Sequence, residues 1–202
     1  MTQDTTAQPA ELEAMRAELH QLVATRAVRF GDFVLTSGRR SNYYFDGKQV
    51  TLHGRGLYLV SRMLLQRCRD LRIDAVGGLT LGADPIASGV ATLSGATADP
   101  IAAFIVRKQE KEHGTGRVIE GPPLEPGMRV LLVDDTLTTG GTFLQALERV
   151  LGTGAEVVEA VCIVDREEGG REALADAGIP VHAFFTRSEF PAPDAALSAP
   201  RR

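Results

Sequence analysis

Short apolar runs alternate with helical segments along most of this chain, and this alternation restricts the fold more than any other feature. Strands are predicted at Ile73–Val76, Ile101–Val106, Val130–Val133, Val157–Val164 and Val181–Phe185. Between them, apolar residues recur at helical spacing over Pro85–Leu93, Gly141–Leu151 and 168–177. Wholly apolar strands joined by helices are typical of a mostly parallel sheet covered by helices on both faces. The sequence therefore predicts an α/β fold.

The N-terminal part has a different pattern. A helix is predicted over 10–28, two short strands around a turn over 30–47, and a second helix over 54–69. With 202 residues the chain has the length of a single domain, since domains average roughly 150 residues. We expect one domain over 1–202, with an N-terminal unit at about 10–50, a core at about 54–187 and a frayed tail rich in Pro and Ala at 188–202.

Composition excludes several classes of protein. The 22 basic and 26 acidic residues give a net charge of −4, which argues against a general nucleic-acid binder. No apolar run approaches the ~20 residues of a membrane-spanning helix. The segment Met1–Pro9 is polar and lacks a secretory signal pattern, so a cytoplasmic protein is expected. Cys68 and Cys162 form no CxxC pair, and no zinc site is predicted.

One strand is followed by a polar turn suited to a phosphate. After Val130–Val133 the chain continues Asp134-Asp135-Thr136-Leu137-Thr138-Thr139-Gly140-Gly141-Thr142 and enters a helix. Helix N-termini offer free N–H groups and a partial charge of about +0.5, which favour anions. In parallel sheets, ligands bind at the carboxyl ends of the strands. The turn therefore predicts a phosphate-binding site.

The two carboxylates indicate what accompanies that phosphate. Asp134 and Asp135 would repel a second phosphate, but they can accept hydrogen bonds from sugar hydroxyls, directly or through a hydrated metal. The turn contains neither a Gly-Lys-Ser/Thr P-loop nor a GxGxxG fingerprint. An ordinary strand–turn–helix with surface acids is the alternative. We expect a ribose 5-phosphate, with the aspartates on its 2- and 3-hydroxyls.

The run from Asp134 to Thr142 resembles the 5-phosphoribosyl-1-pyrophosphate (PRPP) signature of the type I phosphoribosyltransferases. The resemblance implies that family's fold, a mostly parallel sheet flanked by helices with a small N-terminal hood. It implies PRPP binding by the whole run, namely Asp134, Asp135, Thr136, Leu137, Thr138, Thr139, Gly140, Gly141 and Thr142. Mg²⁺ is the implied cofactor, held mainly by PRPP and water without an assigned protein ligand, as suits an ion that keeps its waters.

Three further segments resemble the orotate phosphoribosyltransferases, so that the resemblance spans most of 10–187. The first, 33–46, is similar to the hood that holds the flat base. Five of the chain's eleven aromatic residues fall within 30–45. Tyr44 and Phe45 are the predicted orotate-binding rings, because aromatic faces pack on a pyrimidine. A small hydrophobic cluster beneath a hairpin is the alternative.

The second segment, 107–114, resembles the family's catalytic loop, which closes over pyrophosphate. Its cations can neutralise the charge that accumulates on the leaving group. The predicted catalytic and PRPP-binding residues of this loop are Arg107, Lys108, Lys111 and His113. The chain has three lysines among its 22 basic residues, and two of them lie here. In the family the loop reaches the neighbouring subunit's site, which implies a homodimer with loop 107–114 shared across the interface.

The third segment, 163–170, follows another strand and contains Arg166, which matches the arginine that meets orotate. A guanidinium binds a carboxylate through two parallel hydrogen bonds, and purine bases carry no carboxylate. Thr138 completes the predicted orotate-binding set.

A fourth segment, 78–87, resembles the pyrophosphate-binding turn. Some members of the family carry lysines where Gly82 and Thr36 stand here. Because those lysines are absent, the predicted mechanism depends more strongly on Arg107, Lys108 and Lys111. Lys48 is not expected to substitute for either missing lysine.

The resemblance implies a glycosyltransferase that converts orotate and PRPP to orotidine 5'-monophosphate and pyrophosphate in UMP biosynthesis. PRPP and orotate are the expected partners, with no nucleic acid and no membrane. The alternatives are a phosphoribosyltransferase for another base, or a non-catalytic PRPP-sensing regulator.

Overall fold

A computed structural model describes residues 8–34, 40–109 and 118–192. Six strands form its main sheet: β3 Ala75–Leu79, β4 Ala102–Val106, β5 Ile119–Glu120, β6 Arg129–Leu137, β7 Glu156–Asp165 and β8 Val181–Thr186. They lie in the order β5-β4-β3-β6-β7-β8, and every neighbouring pair is parallel except β4 and β5. The predicted α/β fold with a mostly parallel sheet is therefore confirmed.

The helices of the described chain are α1 Pro9–Leu22, α2 Lys48–Thr51, α3 Gly54–Leu71, α4 Ala83–Ser94, α5 Gly141–Leu151 and α6 Gly170–Asp176. A π-helical turn, Val23–Ala27, follows α1. Side chains of β6 alternate between two apolar clusters. Leu131 and Val133 pack with α3 and α4, whereas Val130 and Leu132 pack with α5 and α6. Helices therefore cover both faces of the sheet, as expected.

Two strands extend well beyond their predicted carboxyl ends. β3 continues through Gly77 and Gly78. Neighbouring strands approach so closely at these two positions that a side chain would not fit, and glycine permits this approach. A Cβ at Gly77 would overlap the carbonyl oxygen of Phe104, and one at Gly78 would overlap that of Val133. β6 likewise extends past Val133 to Leu137, since its pairing with β7 continues from Asp134 to Leu137. The two aspartates thus lie within the strand and not after its end.

The N-terminal hood is a separate two-stranded sheet. β1 (Val28–Val34) pairs antiparallel with β2 (Arg40–Phe45), with an irregularity between Phe30 and Phe33. This confirms the two predicted strands. The hairpin packs on the first apolar cluster through Tyr43 and Phe45, which places the following segment, with α2, beside the main sheet.

The last described segment packs against α1. Residues Arg187–Glu189 form a 3-10 turn, and Phe190 is buried with its ring stacked on His20 at 4.6 Å between centroids. This aromatic contact holds the segment on α1. The remainder, 193–202, lies outside the described residues. None of the helices within 8–34, 40–109 and 118–192 combines the length and apolarity needed to cross a bilayer.

Candidate active site

The predicted phosphate turn opens onto a cleft at the carboxyl edge of the sheet. After β6 the backbone turns at Gly140, whose φ of +85° is readily adopted only by glycine, and α5 begins at Gly141. The cleft has a volume of about 510 Å³. The residues that line it are Lys48, Thr80, Leu81, Gly82, Lys108, Asp134, Asp135, Thr136, Thr138, Thr139, Gly140, Gly141 and Thr142. The structure thus brings nearly the whole predicted PRPP-binding run to one cleft.

Leu137 is the exception within that run. Its side chain is fully buried in the second apolar cluster, and its carbonyl oxygen accepts a hydrogen bond of 2.8 Å from the Arg166 N–H. Leu137 therefore holds two neighbouring turns together and does not line the cleft. The apolar side chain within an otherwise polar run is the sequence signal for this anchoring role.

The two aspartates form the acidic part of the cleft. Each is 8% exposed, and the Asp135 N–H donates a 2.8 Å hydrogen bond to Oδ1 of Asp134. Burial, and then the neighbouring Asp135 charge, raise the pKa of Asp134 to about 7, although the Thr142 hydroxyl opposes this shift. Below about pH 7 the pair therefore carries less than its full negative charge, which favours a phosphorylated ligand nearby.

Glycines allow two segments to approach these carboxylates. A Cβ at Gly82 would overlap Oδ1 of Asp134 and lie 3.0 Å from Oδ1 of Asp135. A Cβ at Gly47 would lie 2.6 Å from Oδ2 of Asp135. A lysine in place of Gly82 would therefore have to displace Asp134. This gives a physical reason for the departure from those family members that carry lysine there. Thr36, the second departure, lies outside the described residues.

Lys48 is the cleft residue that sequence reasoning missed. Its Nζ lies 3.2 Å from Oδ1 of Asp46 and 3.8 Å from Oδ2 of Asp135, and its side chain is 48% exposed. Burial lowers the pKa of Lys48, but the charges of Asp135 and Asp46 prevail and raise it. The sequence signal was its rarity, since it is one of three lysines in the chain.

The start of the predicted catalytic loop has one residue in the cleft. Lys108 lines it, and the Lys108 carbonyl accepts a 3.2 Å hydrogen bond from Nε2 of Gln145 on α5. Arg107 instead pairs with Glu120 across 3.3 Å. Lys111 and His113 lie outside the described residues.

The two predicted base-binding rings face opposite sides of β2, as neighbouring residues on a strand must. Phe45 is buried in the core with 8% exposure. Tyr44 is 41% exposed, and its ring lies 5.5 Å from that of Phe33. Of this pair, Tyr44 has the face that a ligand can reach without rearrangement of the core.

Arg166 lies at the carboxyl end of β7, beside the phosphate turn, but does not line the cleft. Its guanidinium forms a 2.9 Å ion pair with Glu168 and lies 5.8 Å from the ring centroid of Tyr43. A second guanidinium, that of Arg187, lies 4.2 Å from the same centroid. The side chain of Arg166 is 15% exposed, so an anionic ligand would have to compete with Glu168 for it.

The carboxylate and hydroxyl oxygens of the cleft are donors that suit Mg²⁺. Within 8–34, 40–109 and 118–192, no three His, Cys, Asp or Glu side chains come together as a metal-binding group. This donor set fits an ion that takes most of its ligands from a bound phosphate compound and water, with Asp134 and Asp135 as the protein groups within reach.

The mainly parallel sheet, the hood and the strand–turn–helix with its acidic pair define a phosphoribosyltransferase domain. The phosphoribosyl transferase domain family accordingly matches residues 46–178. An orotate phosphoribosyltransferase of Synechocystis sp. is 45% identical over 177 residues, which cover 88% of this chain and 89% of that protein. This chain belongs to the orotate phosphoribosyltransferase family.

Solved structures agree with that assignment. The crystal structure of Mycobacterium tuberculosis orotate phosphoribosyltransferase with Fe(III) dicitrate is 40% identical, with a TM-score of 0.77 over 88% of this chain and 99% of that one. The same enzyme in complex with PRPP is 38% identical, with a TM-score of 0.72 over 87% and 98% of the two chains.

Proposed function

We propose that this chain transfers the 5-phosphoribosyl group from PRPP to orotate, giving orotidine 5'-monophosphate and pyrophosphate in de novo pyrimidine (UMP) biosynthesis. The observation that carries this proposal is the cleft built on 134–142, where a glycine turn, threonine hydroxyls and two buried carboxylates meet. The family to which the chain belongs supports orotate as the acceptor.

The turn binds the donor substrate. Backbone N–H groups at Gly140 and Gly141, with the hydroxyls of Thr138, Thr139 and Thr142, hold the 5-phosphate at the start of α5. Asp134 and Asp135 accept hydrogen bonds from the ribose hydroxyls. As the acceptor nitrogen of orotate bonds to C1 of the ribose and gives up its proton, the C1–O bond breaks and its electron pair leaves with pyrophosphate. Fixing this geometry, and not a covalent nucleophile, lowers the barrier.

Cations stabilise the pyrophosphate as its charge grows. Arg107, Lys108, Lys111 and His113 are the proposed catalytic residues of the loop, and the position of Lys108 in the cleft supports this role. Mg²⁺ bound with PRPP would neutralise part of the pyrophosphate charge, and Asp134 and Asp135 are the carboxylates beside which it would be held.

The proposed base site uses Arg166 for the carboxylate of orotate, with Thr138 and Tyr44 at the ring. The predicted contact by Phe45 requires the core to rearrange around this buried side chain. The backbone N–H of Arg166 donates to the Leu137 carbonyl, which places Arg166 beside the phosphate turn. This position supports the assignment. The exposed face of Tyr44 supports a stacking role for that ring.

We also propose that the active form is a homodimer that shares loop 107–114. Five large apolar side chains are exposed on the described surface, among them Leu52 at 72%, Leu81 at 70% and Tyr58 at 40%. A second copy would bury such groups, so their exposure supports this assembly. The chain as a single domain, with a hood at about 10–50 and a core at about 54–187, and a cytoplasmic location remain predictions from the sequence.

The deciding experiment is a turnover assay with PRPP, Mg²⁺ and one base at a time, with release of pyrophosphate as the measurement. We expect turnover with orotate and none with uracil, adenine or hypoxanthine. Turnover with one of those bases and not with orotate would identify a phosphoribosyltransferase for another base. Salt-sensitive DNA binding without any turnover would identify a PRPP-sensing regulator.

The loop assignment has its own test. Replacing Lys111 by Ala should cost about 3–4 kcal/mol of transition-state stabilisation, roughly 10²- to 10³-fold in kcat, if it acts like an oxyanion-hole donor. An unchanged kcat would contradict the assignment of 107–114 as the catalytic loop.

A further inference from the structure

Lys48 places a positive charge in the cleft that the mechanism above does not use. It comes from the hood side of the molecule, at the first residue of α2, and lines the same cleft as Asp135 and Lys108. Its nearest charged partners are Asp46 at 3.2 Å and Asp135 at 3.8 Å. A side chain that is about half exposed has room to move toward a ligand in the cleft.

The backbone of Lys48 is held in place by Asp46. The Asp46 N–H donates a 3.0 Å hydrogen bond to the carbonyl of Ala27, which fixes this residue to the hood. Its carboxylate in turn accepts hydrogen bonds of 3.2 Å from the Lys48 N–H and from Nε2 of Gln49. The base of the Lys48 side chain is therefore rigid, whereas the flexible stem carries the ammonium.

Lys48 faces the same part of the cleft as the Thr80–Gly82 turn. Oδ2 of Asp135 lies toward the Lys48 ammonium, and Oδ1 of the same carboxylate lies toward Gly82. Because a side chain at position 82 would collide with Asp134, that position cannot supply a cation. Lys48 reaches this region from α2, on the hood side.

The charges within the described cleft make a further cation useful. Asp134 and Asp135 contribute two carboxyl groups, and a donor with a phosphate and a pyrophosphate adds several more negative charges. Lys108 and Lys48 are the lysines that line the described cleft. A compact ammonium suits this position, because it can exchange its ion pair with a carboxylate for one with a phosphate oxygen. Both partners are anionic oxygens.

We propose that the Lys48 ammonium binds an oxygen of the pyrophosphate group of the donor, and so supplies from the hood the charge that Gly82 cannot. This inference rests on the proposed function, because it takes PRPP as the occupant of the cleft. It assigns Lys48 to donor binding and not to recognition of the base.

The test compares Lys48→Met with Lys48→Arg, and with Arg55→Met as the matched control. Arg55 is an equally exposed cation that pairs with Glu18 on α1, away from the cleft. Binding of PRPP with Mg²⁺ is measured by calorimetry without any base, and KM for PRPP and orotate by steady-state kinetics.

We expect Lys48→Met to weaken PRPP binding roughly tenfold or more, the size of one lost charge-assisted hydrogen bond. Arg should restore most of that affinity. KM for orotate at saturating PRPP and the melting temperature should stay near the values of the unaltered protein, and Arg55→Met should bind PRPP normally. PRPP affinity of Lys48→Met equal to that of the control, or an equal loss in the Met and Arg variants, would overturn the proposal.

The binding measurement separates this inference from the proposed function. PRPP binding that depends on Lys48, in a protein that does not turn over orotate, would refute the acceptor but retain Lys48 as a donor-binding residue. Orotate turnover together with unaltered PRPP binding in Lys48→Met would retain the proposed function and refute Lys48 as a donor-binding residue.

Discussion

Two neighbouring turns at the same edge of the sheet share one backbone design but differ in what their side chains do. β6 leads through Gly140, with φ of +85°, into α5, and β7 leads through Gly169, with φ of +91°, into α6. Both strands carry aspartate near their carboxyl ends. The first turn lines the cleft, whereas the polar groups of the second mostly bind one another.

The second turn is closed by its own side chains. Asp165 accepts hydrogen bonds from the Glu167 N–H at 2.9 Å and from Nε of Arg171 at 3.1 Å. Glu167 in turn accepts from the Ser188 N–H at 2.9 Å, which ties the turn to the C-terminal segment. Arg166 pairs with Glu168. These contacts give the second turn a structural role in the fold.

The first turn presents its polar groups to the cleft. Asp135 lies against Lys48 at a longer distance of 3.8 Å, and threonine hydroxyls face the same space. The comparison teaches that a strand–glycine–helix connection does not itself make a binding site. The site arises where side chains leave hydrogen-bonding capacity for a ligand.

The largest expected difference concerns the two aspartates. Asp135→Ala should lower kcat/KM for PRPP roughly 100-fold, because hydrogen bonds to a charged group contribute about 1.5–3 kcal/mol each. Asp165→Ala should lower the melting temperature and leave kcat/KM for PRPP within about threefold, because its partners are structural. Steady-state kinetics and thermal unfolding of both variants make the test. Equal losses of kcat/KM in two folded variants would remove the distinction between the turns.

The glycines that open the two helices give the next effect. A Cβ at Gly170 would lie 2.6 Å from Cδ1 of Leu137 and from the carbonyl oxygen of Thr138. Gly170→Ala should therefore destabilise the protein by about 1–3 kcal/mol through overpacking. Gly141, its counterpart in the first turn, has no atom within 4 Å of such a Cβ, so Gly141→Ala should be neutral or slightly stabilising. Urea unfolding measures both, and equal stabilities would show that the turns do not pack as described.

Arg166 tests whether the second turn, after β7, also contributes to binding. Arg166→Ala should raise KM for orotate roughly tenfold, as expected from loss of a charge-assisted contact to a carboxylate. KM for PRPP should change little. Arg171→Ala is the matched control, since this arginine pairs with Asp165 within the same turn. A change in KM for PRPP alone would contradict the proposed base site.

The last test is a pH dependence of stability in the first turn, after β6. Burial and the nearby Asp135 raise the pKa of Asp134 from its ordinary value of 3.8 to about 7. Between these two values the folded protein binds more protons than the unfolded chain, so this group makes stability fall as pH rises. Asp134→Asn removes that loss and should melt higher than the unaltered protein. The difference should grow from pH 4 to 7 and then level off, as calorimetry at several pH values will test. A difference that is independent of pH would contradict the burial of this carboxyl.

The phosphate turn was predictable because its chemistry is contiguous. Asp134 to Thr142 are consecutive, so the order of strand, acidic pair, hydroxyls, glycines and helix is present in the sequence itself. The fold class followed in the same way from apolar runs between helices. β5 and α2 escaped prediction because segments of two and four residues carry no recognisable period.

Other features of the site depend on contacts between distant segments. β2 turns Tyr44 outward and Phe45 into the core, and the pleat that decides this is set by pairing with β1. Likewise, the engagement of Arg166 with Glu168 depends on how the turn closes after β7.

The sequence by itself determined the class of fold, the phosphate turn and its two carboxylates, because local periodicity and consecutive polar residues carry that information. Only the tertiary structure decided that Lys48 joins the cleft and that Gly82 has no room for a side chain. Both outcomes require the hood and the turn after β3, which lie far from β6 in the chain, to come within a few ångströms of Asp135 on β6. Such proximity is set by packing of the whole core, which no short stretch of sequence encodes.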